Sequence, residues 1–317
     1  MTPPSTPQPP AEPLALVVGE ALIDVVHRAD GTVDEHPGGS PANVALTLGR
    51  LDRRAQLLAW IGTDSYGDRI RSWLSGSHVD LAPGSDGAAS TSIATAHLGA
   101  DGGATYDFDL TWALPADVRV PDETVVVHTG SIAAVLEPGA TGVRRVLAAA
   151  QPRATVTYDP NIRPTLMGQP GEVRPVVEAL VAGADVVKVS DEDLHWLYPG
   201  ADLDVVATRW QRSGPALVIV TYGGDGAVAV TAEHRLEVAA PRVEVADTVG
   251  AGDSFMGALL HGLWSAGLLG AQHRASLAAI DETTLTTVLE QCVQVAAITV
   301  SRSGANPPRL RELTGHV

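Results

Sequence analysis

Lysine is nearly absent from this chain of 317 residues. Of its 21 basic side chains 20 are arginine and one is Lys188, set against 37 acidic side chains for a formal net charge of −16. The lysine stands in Val187-Lys188-Val189, so no Gly-Lys-Ser/Thr phosphate loop exists. Asp185, three residues before it, excludes a Ser-x-x-Lys nucleophile. The acidic balance opposes a nucleic-acid partner, whose phosphates it would repel. A single cysteine, Cys292, excludes an intrachain disulfide framework and a multi-cysteine metal site. It suits a reducing cytoplasm, the expected location. No apolar run reaches the roughly 18 residues of a membrane span, so no membrane partner is expected. Also missing are a Gly-x-Ser-x-Gly elbow, a His-Glu-x-x-His pair and a Gly-x-Gly-x-x-Gly turn after a strand. The histidines, from His27 to His316, stand singly without ligand spacing.

What is present is a globular composition, 45% hydrophobic and 18% charged, with ample material for a core. Residues 1–13 hold six prolines and no apolar periodicity, which predicts a disordered tail. It has no basic stretch followed by an apolar one, as a signal peptide would. Short apolar runs predict buried strands at Leu14–Val18, Gln56–Ile61, Val125–His128, Thr155–Tyr158, Val186–Val189 and Leu217–Thr221. Helical stretches lie between or after them at Ala42–Leu51, Gly67–Ser75, Ala140–Ala150, Val173–Ala182, Leu203–Gln211, Gly252–Ala266 and Glu282–Val300. This alternation predicts a parallel sheet covered on both faces. Ile23–Glu35, with an Asp30-Gly31 turn, and Ser90–Asp109, with a Gly99–Gly103 turn, read instead as hairpins. They can form a small separate sheet, a natural lid over the carboxyl ends of the main strands.

The strongest chemical signal is Asp247-Thr-Val-Gly-Ala-Gly-Asp253, directly before an apolar helix. The glycines leave backbone N–H groups bare where the helix dipole is positive, which makes an anion site. A carboxylate beside bound phosphate is a poor binder, because like charges repel. It is well placed as a base that takes a proton from an attacking hydroxyl. A plain helix cap is the alternative for Asp253.

Further segments occur in a fixed order. They are Pro37-Gly-Gly-Ser-Pro-Ala-Asn43, Ile61-Gly-Thr-Asp64-Ser-Tyr-Gly67, Asp159-Pro-Asn161-Ile-Arg163, Lys188-Val-Ser190-Asp-Glu-Asp193, Thr221-Tyr-Gly223-Gly-Asp-Gly226 and Arg302-Ser-Gly304-Ala305. With these, the chain resembles the ribokinase-like, or phosphofructokinase-B, carbohydrate kinases, and their fructokinase-like branch in particular. The resemblance runs from residue 19 to about residue 305. It implies a three-layer α/β/α core with a mostly parallel sheet and a small β-sheet lid. Residues 14–310 would be one kinase domain, 23–36 and 89–112 its lid, and 311–317 a tail.

The resemblance also implies roles. Asp253 would be the catalytic base, and Gly250, Ala251 and Gly252 with Asp253 the anion hole. Asp24, Gly39 and Asn43 fall where the family binds sugar hydroxyls. Arg163 is a candidate clamp for a phosphate or a substrate anion. Thr221, Gly223 and Gly226 would lie along the nucleotide, although a two-residue hairpin turn explains the same glycines. Lys188, beside Ser190, would steer the triphosphate unless it is a solvated strand-end charge. Asp193 stands where members carry a glutamate that organises Mg2+ through water. Asp247 falls in the family's monovalent-cation loop, but Pro307-Pro308 replaces a hydroxyl there and leaves K+ dependence open. The expected activity is transfer of the γ-phosphoryl of Mg-ATP to a small sugar, fructose first, with 2-keto-3-deoxygluconate or ribose as alternatives. A sensor that binds sugar or nucleotide without turnover is the alternative from another class. Paired lids predict a homodimer.

Overall fold

The computed structural model describes residues 12–28, 30–98 and 104–313. The expected proline-rich tail up to residue 11, the Gly99–Gly103 turn and residues 314–317 lie outside them. The strands are β1 Leu14–Val18, β2 Leu22–His27, β3 Val33–Gly38, β4 Ala55–Leu58, β5 Val79–Leu81, β6 Ile93–Leu98, β7 Ala104–Asp109, β8 Thr124–Gly130, β9 Thr155–Asp159, β10 Val186–Ser190, β11 Leu217–Thr221, β12 Ala227–Val230 and β13 Arg235–Val238. The helices are α1 Ser40–Arg50, α2 Ser65–Ser75, α3 Gly139–Ala150, α4 Pro164–Met167, α5 Pro170–Gly183, α6 Asp191–Leu197, α7 Leu203–Ser213, α8 Ala251–Ser265, α9 Arg274–Ala278, α10 Glu282–Val300 and α11 Leu310–Leu313.

Nine strands make the main sheet in the order β13-β12-β11-β10-β9-β8-β1-β4-β5. From β11 to β5 the pairings are parallel, and β12 and β13 add an antiparallel edge. Helices α1, α2, α8 and α10 pack on one face, and α3, α5, α6 and α7 on the other. Burial on both sides is why the strands read as unbroken apolar runs rather than alternating ones. In β10, Val186 packs toward α8 and Val187 toward α5 and α7. By the same alternation Lys188 lies on the α8 face.

The two hairpins stand apart from this sheet, as expected, and join in the order β3-β2-β6-β7 through a parallel β2–β6 pairing. Side chains of the α2 region tether them to the core. The Tyr66 hydroxyl donates to Glu35 Oε1 at 2.7 Å, Arg69 pairs with Glu35, and Asp64 accepts from the Thr91 N–H and hydroxyl, both at 2.7 Å.

Three details differ from the sequence expectation. The acidic stretch after β10 is a helix, α6, begun by the Ser190 hydroxyl, which accepts from the Asp193 N–H at 3.0 Å. The link between β11 and β12 is no two-residue turn: it runs from Tyr222 to Gly226 through a 3-10 turn at Gly223–Asp225. Residues 311–313 belong to α11, which the Arg302–Glu312 ion pair at 2.6 Å ties to the end of α10. No helix among the described residues is long and apolar enough to cross a membrane.

Candidate active site

Helix α8 begins where the sequence leaves its backbone bare. Gly250 precedes it in the left-handed region at φ 76°, and a Cβ there would lie 2.6 Å from Ala305. The Ala251 N–H is partly engaged, donating to Thr248 O at 3.3 Å. The N–H groups left to meet an anion are therefore those of Gly250, Gly252 and Asp253. Asp253 caps nothing. Its Oδ1 accepts from the Ser40 hydroxyl at 2.7 Å and from Asn161 Nδ2 at 3.2 Å, and its Oδ2 accepts from Asn43 Nδ2 at 2.8 Å. Burial raises this carboxyl above the usual range, and the bonds from Asn43 and Ser40 pull it back. The constellation depends on close helix packing. Gly257, one turn beyond Asp253, lets α8 lie against Val44 and Thr47 of α1, whose first turn carries Ser40 and Asn43. Asn43 thus spends its amide N–H on Asp253 rather than on a sugar, while its Oδ1 is buried without a partner.

Beneath this turn lies a buried polar row. Lys188, only 4% exposed, is no solvated charge: its Nζ donates to Asp159 Oδ2 at 2.9 Å. A Cβ on Gly252 would sit 2.8 Å from that ammonium, so the lysine reaches the underside of the anion hole. Burial alone would lower the Lys188 ammonium, but the Asp159 charge and hydrogen bond outweigh it and the shift is upward. Asp159 Oδ1 has no partner. Asp193 is also buried, and burial pushes its carboxyl up to about 6; its Oδ1 accepts from the Ile162 N–H at 2.9 Å. The Asp193 carboxyl suits a hard cation that keeps its waters, whereas Asp159 Oδ1 is sealed from solvent. Among the described residues no group of three or more His, Cys, Asp or Glu is placed to hold a metal ion.

Asp24, on β2 of the smaller sheet, is near enough to Asp253 for the two carboxyls to repel. Burial pushes its carboxyl up to about 6, with Arg163 and His36 opposing the shift and Asp253 adding to it. Gly39 is the N-cap of α1, so close to the Glu20 carbonyl that a Cβ would overlap it. Glu20 is itself buried, with a carboxyl pushed up to about 7 by burial, although Ser131, Arg163 and the Ala133 N–H favour its charged form. Arg163 is exposed at the start of α4, where its Nη1 donates to Asn161 Oδ1 at 2.6 Å. Its charge favours the ionised forms of Asp24 and Glu20.

Ser190 and Thr221 are register partners at the carboxyl ends of β10 and β11. The Ser190 hydroxyl is already committed as the α6 cap. Gly226, at φ 114°, passes so near the Val238 carbonyl that no side chain fits, whereas Gly223 faces open space. Asp247 accepts from Val249 N–H at 3.0 Å and from Gly304 N–H at 2.9 Å, drawing the approach to α8 against the end of α10. Ser40, Asp159, Asn161 and Glu20 were not singled out from the sequence. Ser40 was legible in principle, three residues from Asn43 and so on the same helix face. Asp159 and Asn161 lay inside a quoted motif but carried no assigned role.

Comparison with protein families matches residues 13–312 to pfkB family carbohydrate kinases. A fructokinase of Rhizobium leguminosarum bv. trifolii is 32% identical over 275 residues, covering 83% of this chain and 84% of that protein. Probable fructokinase-4 of Arabidopsis thaliana is 33% identical over 313 residues, 93% of each. Among solved structures, fructokinase with bound ATP from Xylella fastidiosa superposes with a TM-score of 0.79 at 26% identity, covering 95% of this chain and 97% of that one. A fructokinase double mutant from Vibrio cholerae O395, in its fructose, ADP and potassium ion bound form, gives 0.79 at 25%, covering 94% and 95%. The match over nearly the whole chain, together with a buried aspartate at the glycine-bared start of α8, makes this protein a member of the pfkB family of carbohydrate kinases, a phosphotransferase with an alcohol group as acceptor.

Proposed function

We propose that the chain is an ATP-dependent fructokinase, acting in the cytoplasm on the γ-phosphoryl of Mg-ATP. The observation that carries it is Asp253: a buried carboxylate held by Ser40, Asn43 and Asn161 beside three unengaged N–H groups. In that position it takes the proton of the attacking hydroxyl while the N–H groups of Gly250, Gly252 and Asp253 hold the charge that develops on the transferred group. Asp24 and Gly39 would meet the sugar hydroxyls, and Asn43 would act through Asp253. Lys188, Ser190, Thr221, Gly223 and Gly226 would line the nucleotide. Mg2+, when bound, would neutralise charge on the phosphates, and Asp193 would hold it through water. Asp247 and the carbonyls near Arg302–Gly304 would hold a monovalent cation, such as the potassium ion bound in the Vibrio cholerae enzyme. Residues 14–310 would form one kinase unit, with the β3-β2-β6-β7 sheet as its lid and a second copy pairing lid to lid.

A neutral sugar fits better than a sugar acid. The sugar side gathers acidic groups: Glu20 and Asp253 are buried, Asp24 is half-buried, and burial raises all three carboxyls. A substrate carboxylate such as that of 2-keto-3-deoxygluconate would meet net repulsion. The test is ADP release over fructose, ribose and 2-keto-3-deoxygluconate, with and without Mg2+. Fructose should give the highest kcat/KM, and Asp253→Asn should lower kcat about 10²–10⁴-fold with ATP binding kept. A preference for the keto acid would overturn the substrate reading. Near wild-type turnover in Asp253→Asn would overturn the role of the base.

A further inference from the structure

The main sheet spends a buried charge pair where an apolar pair would pack. On the face that α8 covers, β10 and β12 carry Val186, Ala227 and Ala229, while His128 of β8 and Thr157 of β9 hydrogen-bond to each other. Lys188 and Asp159 place a charge pair on that face, both buried. Removing two charges from water is costly, and an apolar pair of similar volume is often as stable or more so. Stability is therefore a weak reason for these two residues to be here.

Their placement supplies a better one. Asp159 is the one acceptor found for the Lys188 ammonium among the described residues, at 2.9 Å. An ammonium carries three hydrogens, and this one lies 2.8 Å from where a Cβ on Gly252 would be, beside the first turn of α8. Only the absence of a side chain at Gly252 lets the charge approach so closely. Low local polarity strengthens its field on anything bound at that turn. Asp159 aims it: the same residue opens the loop whose Asn161 reaches Asp253.

We propose that Lys188 supplies a fixed positive charge behind the anion hole of α8, and that Asp159 is the positioning residue that holds it there. The pair thereby adds a buried cation to the backbone dipoles that receive the transferred phosphoryl group. This inference rests on the phosphotransferase reading above, and the neutral pair Lys188→Met/Asp159→Asn tests it. Lys188→Met by itself strands a buried carboxylate and should melt early. The double variant leaves neither member of the ion pair charged, so its melting temperature should return close to that of the wild type. Its ATP affinity should stay about tenfold weaker and its kcat about 10²-fold lower, the scale of losing one preorganised donor at such a site. KM for fructose and the Mg2+ concentration for half activity should not move. If affinity and kcat recover together with melting, the pair is structural and the proposal falls. If the Mg2+ requirement rises, Asp159 serves the metal instead, which also overturns it. ATP titration by calorimetry needs no sugar, so a wild type that binds ATP yet phosphorylates no sugar would strike the fructokinase reading and leave this one judged on affinity.

Discussion

Asp24 shows how the site is maintained against stability. Its carboxyl moves from the ordinary 3.8 up to about 6, chiefly through burial. Between those values the folded chain holds a proton that the unfolded chain has released, so stability falls as pH rises through that window and stays lowered above it. Asp24→Asn removes the buried charge. The variant should be more stable than wild type at pH 7–8 by on the order of 2 kcal/mol, with the gain vanishing below about pH 4. Its sugar affinity should fall. Urea midpoints of both proteins from pH 4 to 8 check this, and an Asn variant that is less stable at pH 8 would refute it. Gains in stability that cost function are expected at such positions.

At the scale of elements, the site is the meeting of two helix starts, α1 and α8, over the ends of β9 and β10. Gly252 is where α8 comes close to the Lys188 side chain of β10. In an ordinary helix Gly→Ala stabilises by roughly 0.5–1 kcal/mol, and Gly171→Ala in the first turn of α5, where nothing lies within 4 Å, should behave so. Gly252→Ala should not, because its methyl would displace the Lys188 ammonium 2.8 Å away. Turnover should drop at least about tenfold, with melting no higher than wild type. Equal effects of the two substitutions on kcat would remove Gly252 from the site. The long helices and the strands covered on both faces were legible because their apolar patterns extend over many residues. Helix α6 was not, since its seven residues begin with three acidic ones and its start depends on the Ser190 cap. Strands β12 and β13, four residues each, carry too little pattern to stand out.

For the whole molecule, the smaller sheet leaves an unsatisfied surface. Tyr106 is 56% exposed and stacks on Phe108 with ring centroids 6.2 Å apart, and Val33 is 49% exposed at the opposite edge strand. Open edges and exposed aromatics of this kind favour pairing with another sheet. Light scattering at micromolar concentration should give twice the 32.8 kDa of one chain, and Tyr106→Arg should shift the mass toward one chain. A single-chain mass for the wild type at high micromolar concentration would end the dimer proposal.

The alternation of the longer strands and helices, the excluded enzyme motifs and the aspartate at the glycine-bared helix start were all determined by the sequence alone. Each depends on periodicity, turn chemistry or residue type within about ten neighbouring positions. Only the tertiary structure decided what surrounds that aspartate. Ser40 and Asp253 are 213 residues apart and meet at 2.7 Å because Gly257 lets α8 settle on α1. The same fold buries Lys188, which the sequence left open as a solvated charge, and leaves Arg163 exposed with its guanidinium on Asn161. An unbroken apolar run does not say which face a residue takes or which helix covers it; that follows from the pairing order of the strands and the packing of the helices across them.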